Sequence, residues 1–231
     1  MKFLFLFFLI LFSSQAIAKG TLTQIGTFSV FCQGAYQGFK SAQSVKEMGD
    51  FGLGTLDGLD GEMVMVSGNM VQIPISGIPR PVASSETIPF AAVIRFVPDQ
   101  VMTVNKALTL DTLKSYLETQ MPDKNAIYAI KISGTFSSLT FRSVPKQSLP
   151  YPDLGKALST QKVWKEHQVK ATAVGFWSPS FLKDLGIPGF HFHFISEDGQ
   201  KGGHVLDGEL ETGSVELQKT DSLTVLWQLY Q

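Results

Sequence analysis

Three of the four histidines of this 231-residue chain lie close together, His191, His193 and His204, in the stretch from Gly189-Phe-His-Phe-His-Phe194 to Gly202-Gly-His204. Side chains on a strand alternate between faces with a period of two, so His191 and His193 share one face while Phe190, Phe192 and Phe194 share the other. The phenylalanine face calls for a core, which leaves the histidines to line a cavity. Asp198-Gly199 is a favoured dipeptide for a two-residue hairpin turn. A chain reversing there sets His204 opposite His193 on the same face, roughly 5 Å away at Cβ. A bulge at Gly202-Gly203 would instead shift that register by one. Three neutral imidazoles suit zinc, iron, copper or nickel, and three protein ligands with an open position describe a catalytic site. The alternative for His-x-His alone is a pair of half-buried or surface histidines. The fourth histidine, His167, sits among polar residues and is expected to be solvated.

Two further segments carry polar chemistry. Residues 50–62, from Asp50-Phe-Gly-Leu-Gly-Thr55 to Gly58-Leu-Asp-Gly-Glu62, are dense in glycine and carboxylate. They match neither a dinucleotide fingerprint nor a phosphate-binding loop. One reading is a pair of tight turns, Asp57-Gly58 and Asp60-Gly61; the other is close approach to a ligand, with Glu62 opening an apolar strand from which its carboxylate points into a cleft. Arg142, inside Thr140-Phe-Arg-Ser-Val144, is either a solvated strand arginine or an anion clamp.

The elements that must hold these residues are mostly strands. Met63–Val66 and Met70–Ile73 flank Ser67-Gly68-Asn69 as a hairpin, and Phe90–Val97 is an apolar strand between prolines. Leu110, Leu113 and Leu117 recur at helical spacing between Thr109 and Pro122. Ala126–Ile132 and Thr135–Val144 read as two strands around Gly134. A strand in the Val169–Trp177 region leads through Ser178-Pro179 and a short turn to the histidine hairpin, and Ser214–Gln218 and Leu223–Leu229 close the chain. Helices and strands do not alternate as a doubly wound parallel sheet requires, so the expected class is α+β: mixed and antiparallel β-sheets with a few short helices and a metal site on a β-hairpin.

Composition narrows the setting. Lys2, the apolar run Phe3–Phe12 and Ala16-Ile-Ala18 form a secretory signal peptide over residues 1–18, cleaved after Ala18. Its apolar run is shorter than the ~20 residues that span a bilayer. The mature chain, residues 19–231, is expected to be one exported α+β domain, periplasmic or secreted, with no membrane association. Nineteen basic residues against 20 acidic give no basic patch for nucleic acid. The single Cys32 has no disulfide partner and reads as a buried, inert thiol.

Taken together, the runs Gly49-Asp-Phe-Gly-Leu-Gly-Thr55, Gly58-Leu-Asp-Gly-Glu62, Arg142-Ser-Val-Pro-Lys-Gln147, Pro150-Tyr-Pro152, Gly189-Phe-His-Phe-His-Phe194 and Gly202-Gly-His-Val-Leu-Asp207 resemble acetolactate decarboxylase, in the same order over nearly the whole mature chain. The resemblance implies Zn2+ held by His191, His193 and His204, Glu62 as the active-site glutamate, Arg142 as a substrate-contacting arginine and Thr55 beside the site. It also implies a homodimer acting on acetolactate. Such an enzyme loses carbon dioxide from a β-keto acid and stabilises an enediolate, with the zinc as Lewis acid. Arg142 would bind the substrate carboxylate and Glu62, with a raised pKa, would protonate one face. The resemblance also implies a C-terminal tail whose glutamate reaches the metal, for which this sequence, ending at Gln231, offers no matching motif. Glu209, Glu211 and Glu216 lie too near His204 to be obvious equivalents. Two rivals are a cupin-type oxygenase, for which Glu197 would follow His-x-His as a ligand, and a non-enzymatic exported zinc-binding protein.

Overall fold

The computed structural model describes residues 20–220 and 222–228, so the expected signal peptide lies outside the described residues. Two large β-sheets pack face to face. The first has seven strands in the order Ser222–Leu226, Thr21–Ile25, Phe90–Ile94, Phe51–Leu56, Asp60–Val66, Asn69–Ile73 and Arg80–Pro81. Its pairs are antiparallel except the first, where Thr21–Ile25 and Ser222–Leu226 run parallel. The second is antiparallel and runs Leu108–Thr109, Gly202–Lys219, Tyr128–Ser143, Lys162–Ser178 and Gly189–Ser196, with Gln100–Val104 also beside Gly202–Lys219. The expected α+β class with mixed and antiparallel sheets is therefore the one observed.

Strand parity sorts the side chains into layers. Phe192 and Phe194 join a core with Leu113 and Leu117 of the Leu110–Gln120 helix, which Thr109 caps by accepting from the Thr112 N–H. On the opposite face, Val174 and Phe176 pack with Leu53, Val64, Ile73 and Ile94 of the first sheet. His191 and His193 point into this second layer, because Phe176 and Val174 are their register partners. The imidazoles are thus placed between the sheets by the same alternation that sends the phenylalanines toward the helix.

The second sheet closes on itself near the site. Gly189–Ser196 pairs with Lys162–Ser178 on one side and with the start of Gly202–Lys219 on the other, while that strand also pairs with Tyr128–Ser143. His204 consequently has His193 as one register partner and Arg142 as the other. Arg142, His193 and His204 become neighbours through backbone pairing alone.

Several expectations require correction. Gly134 does not turn the chain: Tyr128–Ser143 is one continuous strand through it, paired with Gly213 on one side and Ala171 on the other. A Cβ at Gly134 would meet the Thr212 carbonyl oxygen at 2.2 Å, so this glycine permits close backbone approach instead of a reversal. Ser214–Gln218 is likewise the end of an 18-residue strand, and the last strand, Ser222–Leu226, belongs to the other sheet. Cys32 is half-buried, not fully buried, and burial still pushes its thiol pKa up.

Candidate metal and acid–base site

The hairpin has the register expected of a turn at Asp198-Gly199: His193 pairs with His204, Phe194 with Gly203 and Ile195 with Gly202. The glycine pair forms no bulge in this hairpin; Gly203 has a φ of 148°, and a Cβ there would meet the Arg142 carbonyl at 2.6 Å. Asp198 fixes the turn by accepting from Ser196 Oγ at 2.6 Å and from the Gln200 N–H at 3.0 Å.

Three ring nitrogens form a small triangle. His191 Nε2 lies 3.1 Å from His193 Nε2 and 3.2 Å from His204 Nδ1, and the last two are 3.3 Å apart. Nitrogens each about 2.0–2.1 Å from a tetrahedral zinc would stand about 3.3 Å apart, so the triangle has the edge length of one face of such a site. Burial holds all three imidazoles below their ordinary pKa, that of His193 to about 3, and the Arg142 charge adds to this. Neutral imidazoles are the form that ligates metal. His193 Nδ1 lies 2.9 Å from the Met63 carbonyl oxygen, to which its N–H donates. That fixes the tautomer, leaves Nε2 facing the other rings and supplies the outer support typical of a ligating histidine.

Glu62 comes from the opposite sheet. It is buried, and its Oε2 lies 3.3 Å from His193 Nε2. Burial pushes its carboxyl pKa up to about 7, against the opposing pull of Arg142. The contact has the length of an ion pair, but burial disfavours both the imidazolium and the carboxylate. Strand alternation puts Glu62 on the inter-sheet face with Val64 and opposite Ile73, and the register of Phe51–Leu56 with Asp60–Val66 slips between Gly54 and Leu56, just before it. Gly58, Leu59 and Gly61 precede it at φ values of 76°, 55° and 70°. Leu59 is not a residue that adopts this region cheaply, at about 1–2 kcal/mol, and its buried side chain packed with Tyr36, Phe90 and Val144 holds it there. The glycine-rich segment is thus a strained turn that delivers a carboxyl group.

Arg142 donates from Nη1 to Gln161 Oε1 at 3.2 Å, while its Nε is buried with no hydrogen-bond partner. The guanidinium is therefore held at one end and unsatisfied at the other. Thr55, buried in the adjoining strand, donates to the Gly61 carbonyl at 2.6 Å, locking the bulge before Glu62. Lys146 and Gln147 support the same turn: Lys146 pairs with Asp57 at 3.2 Å, and the Gln147 N–H donates to the Gly58 carbonyl at 2.7 Å.

A profile of the Alpha-acetolactate decarboxylase family matches residues 22–228. The chain belongs to that family. It is 41% identical over 203 residues to the alpha-acetolactate decarboxylase of Methanosarcina mazei, covering 88% of this chain and 70% of the relative. It is 36% identical over 199 residues to that of Brevibacillus brevis, with 86% and 70% covered. The crystal structure of alpha-acetolactate decarboxylase from Bacillus subtilis superposes with a TM-score of 0.89 at 29% identity, covering 91% of this chain and 90% of the other.

Of the residues singled out by resemblance to the decarboxylases, His191, His193, His204 and Glu62 meet directly and Arg142 adjoins them through His204. Glu197 is exposed in the hairpin turn and contributes nothing to the cluster. Glu209 accepts from Ser137 Oγ at 2.6 Å, Glu216 pairs with Lys131 at 2.9 Å, and Glu211 is exposed. The carboxylate that meets the imidazoles is Glu62. His167 is exposed, as expected. Sequence reasoning missed Gln161, Ser143 and Gln72, the last of which donates to the Asp60 carbonyl at 2.6 Å. None stands in a pattern of its own; only the Arg142-Ser-Val-Pro-Lys-Gln147 motif hinted at Ser143.

Proposed function

We propose that this chain decarboxylates 2-acetolactate (2-hydroxy-2-methyl-3-oxobutanoate) to acetoin, with zinc held by His191, His193 and His204. The observation that carries the reading is the convergence of three different groups on one spot: a metal-sized triangle of neutral imidazoles, a carboxyl poised near neutrality, and an arginine whose buried Nε lacks a partner. The donor set fits zinc in number, type and spacing. When bound, the metal supplies Lewis acidity toward the ketone and hydroxyl oxygens of an α-hydroxy ketone.

The chain's own residues do the rest. Arg142 offers Nε and Nη2 to the substrate carboxylate as a two-point fork, its Nη1 being occupied by Gln161. The carboxylate carbon then leaves as carbon dioxide, and the electron pair of the broken bond moves into the neighbouring ketone to give an enediolate. Glu62, whose burial raises its carboxyl pKa to about 7, delivers a proton to one face of the former carboxylate-bearing carbon and so yields a single acetoin enantiomer. Thr55 adjoins the substrate while keeping the Glu62 turn closed.

The non-enzymatic zinc-binder reading leaves the orphaned arginine and raised carboxyl without a purpose. The oxygenase reading depends on Glu197, which is remote from the triangle. Metal analysis together with an acetoin assay on racemic acetolactate, with and without chelator, tests the proposal. Stoichiometric zinc and chelator-sensitive acetoin are expected; zinc without acetoin, or iron with oxygen uptake, would replace the reading with one of its rivals. The same reading takes the mature chain to be exported and homodimeric, which N-terminal sequencing of the secreted protein and its mass in solution test directly.

A further inference from the structure

Glu62 and Arg142 come from different sheets, and a few buried groups set the distance between them. Ser143, next to Arg142 and fully enclosed, donates its hydroxyl to the Ile73 carbonyl at 2.7 Å. Ile73 is the register partner of Glu62 on the neighbouring strand. One residue further along, the Val144 carbonyl accepts the Gly61 N–H at 3.1 Å. The end of the Arg142 strand therefore grips the Glu62 strand and its neighbour at adjacent points. The Ile73 side chain is confined as well, since a Cβ on Gly202 would come within 2.8 Å of its Cγ1.

We propose that Ser143 is a positioning residue that fixes the Glu62 carboxyl relative to Arg142 through the Ile73 carbonyl. This rests on Glu62 being the proton donor and Arg142 the carboxylate clamp. A serine hydroxyl is short and has one torsion to set it, so the carbonyl it holds has little freedom. Ser143 is fully enclosed, and its removal takes away the hydroxyl that ties the Ile73 carbonyl to the Arg142 strand. A shift of about 1 Å between groups that must address one substrate is enough to cost about 100-fold in rate.

The test compares Ser143→Ala, Ser143→Cys and Ser143→Thr with Leu117→Ala, a truncation in the helix core on the far face of the second sheet. Four readouts are taken: amide exchange across residues 60–66, metal content, kcat against KM, and the enantiomeric purity of acetoin corrected for spontaneous decarboxylation. Ser143→Ala is expected to speed exchange at Gly61, keep the metal, lower kcat by about 10- to 100-fold with a smaller change in KM, and reduce enantiomeric purity. Ser143→Thr, which keeps the donor, recovers kcat and purity. Leu117→Ala lowers Tm without those changes. If Ser143→Ala does not fold, the nearly isosteric Ser143→Cys carries the comparison. Unchanged exchange and kcat in the Ala or Cys variant would overturn the proposal, as would Leu117→Ala reproducing the whole pattern. Should the unaltered protein form no acetoin, the decarboxylase reading falls; exchange at Gly61 then decides the Ser143 claim by itself, faster exchange upholding the tie and unchanged exchange refuting it.

Discussion

The imidazole triangle arises from a single hairpin, whose turn, alternation and register bring His191, His193 and His204 together within one short stretch of chain. Glu62 reaches the same place from the opposite sheet by a different route: a register slip, a left-handed Leu59, and buried hydrogen bonds from Thr55, Gln72 and Ser143. The histidine half of the site is therefore local, and the carboxyl half is assembled at long range. Local geometry tolerates mutation elsewhere in the fold, whereas a carboxyl positioned across a seam depends on every contact along it. His193 joins the two halves, since its Nδ1 faces the Met63 carbonyl and its Nε2 faces Glu62.

The contrast can be broken at its centre by His193→Ala. This is expected to remove the bound metal and reduce acetoin formation to the spontaneous background, and metal analysis with the acetoin assay checks both. Arg142→Lys is expected to retain the metal and lower kcat/KM by about 10- to 100-fold, the loss of a charge-assisted hydrogen bond worth about 1.5–3 kcal/mol. Steady-state kinetics on the metal-loaded variant measure it.

A pH titration of the metal-free protein sharpens the histidine half. The folded-state pKa values of the three histidines lie below the ordinary 6.5, that of His193 near 3. As pH falls through 6.5 the unfolded chain takes up protons that the folded site resists, so stability present above that pH is lost progressively toward 3. Calorimetry in the presence of chelator is expected to show Tm falling between pH 7 and pH 5, and His204→Asn to flatten that dependence. The smallest effect belongs to Gly199→Ala at the hairpin turn. Its φ is 67° and an added Cβ meets nothing within 4 Å, so only backbone strain of about 1–2 kcal/mol is expected. That corresponds to a fall in Tm of a few degrees. Metal content is expected to stay unchanged, because Val174 and Phe176 hold the histidine strand from its other side.

The same contrast explains what could be read in advance. His193 opposite His204 followed from a turn dipeptide and a period of two, both properties of neighbouring residues. Glu62 and Arg142 stood out as a carboxylate at the start of an apolar strand and a possible anion clamp, but only the family resemblance chose those readings over the ordinary ones, because nothing local says that a carboxyl on one sheet faces an arginine on another. Ser143, Gln72 and Gln161 were invisible for that reason: each acts on a partner distant in sequence, and serine or glutamine in a strand or loop has many ordinary uses. Gly134 was misread through the same limit. Glycine marks both turns and close backbone approaches, and only the Thr212 carbonyl beside it decides which.

Glu62→Gln tests the division of labour most directly, with metal content and acetoin formation measured on one preparation. The change keeps the shape of the side chain and removes its exchangeable acid proton. The account predicts stoichiometric metal on His191, His193 and His204 with kcat reduced by about 10²- to 10⁴-fold, the range of a lost general acid. Full activity in Glu62→Gln, or loss of the metal along with the activity, would contradict it.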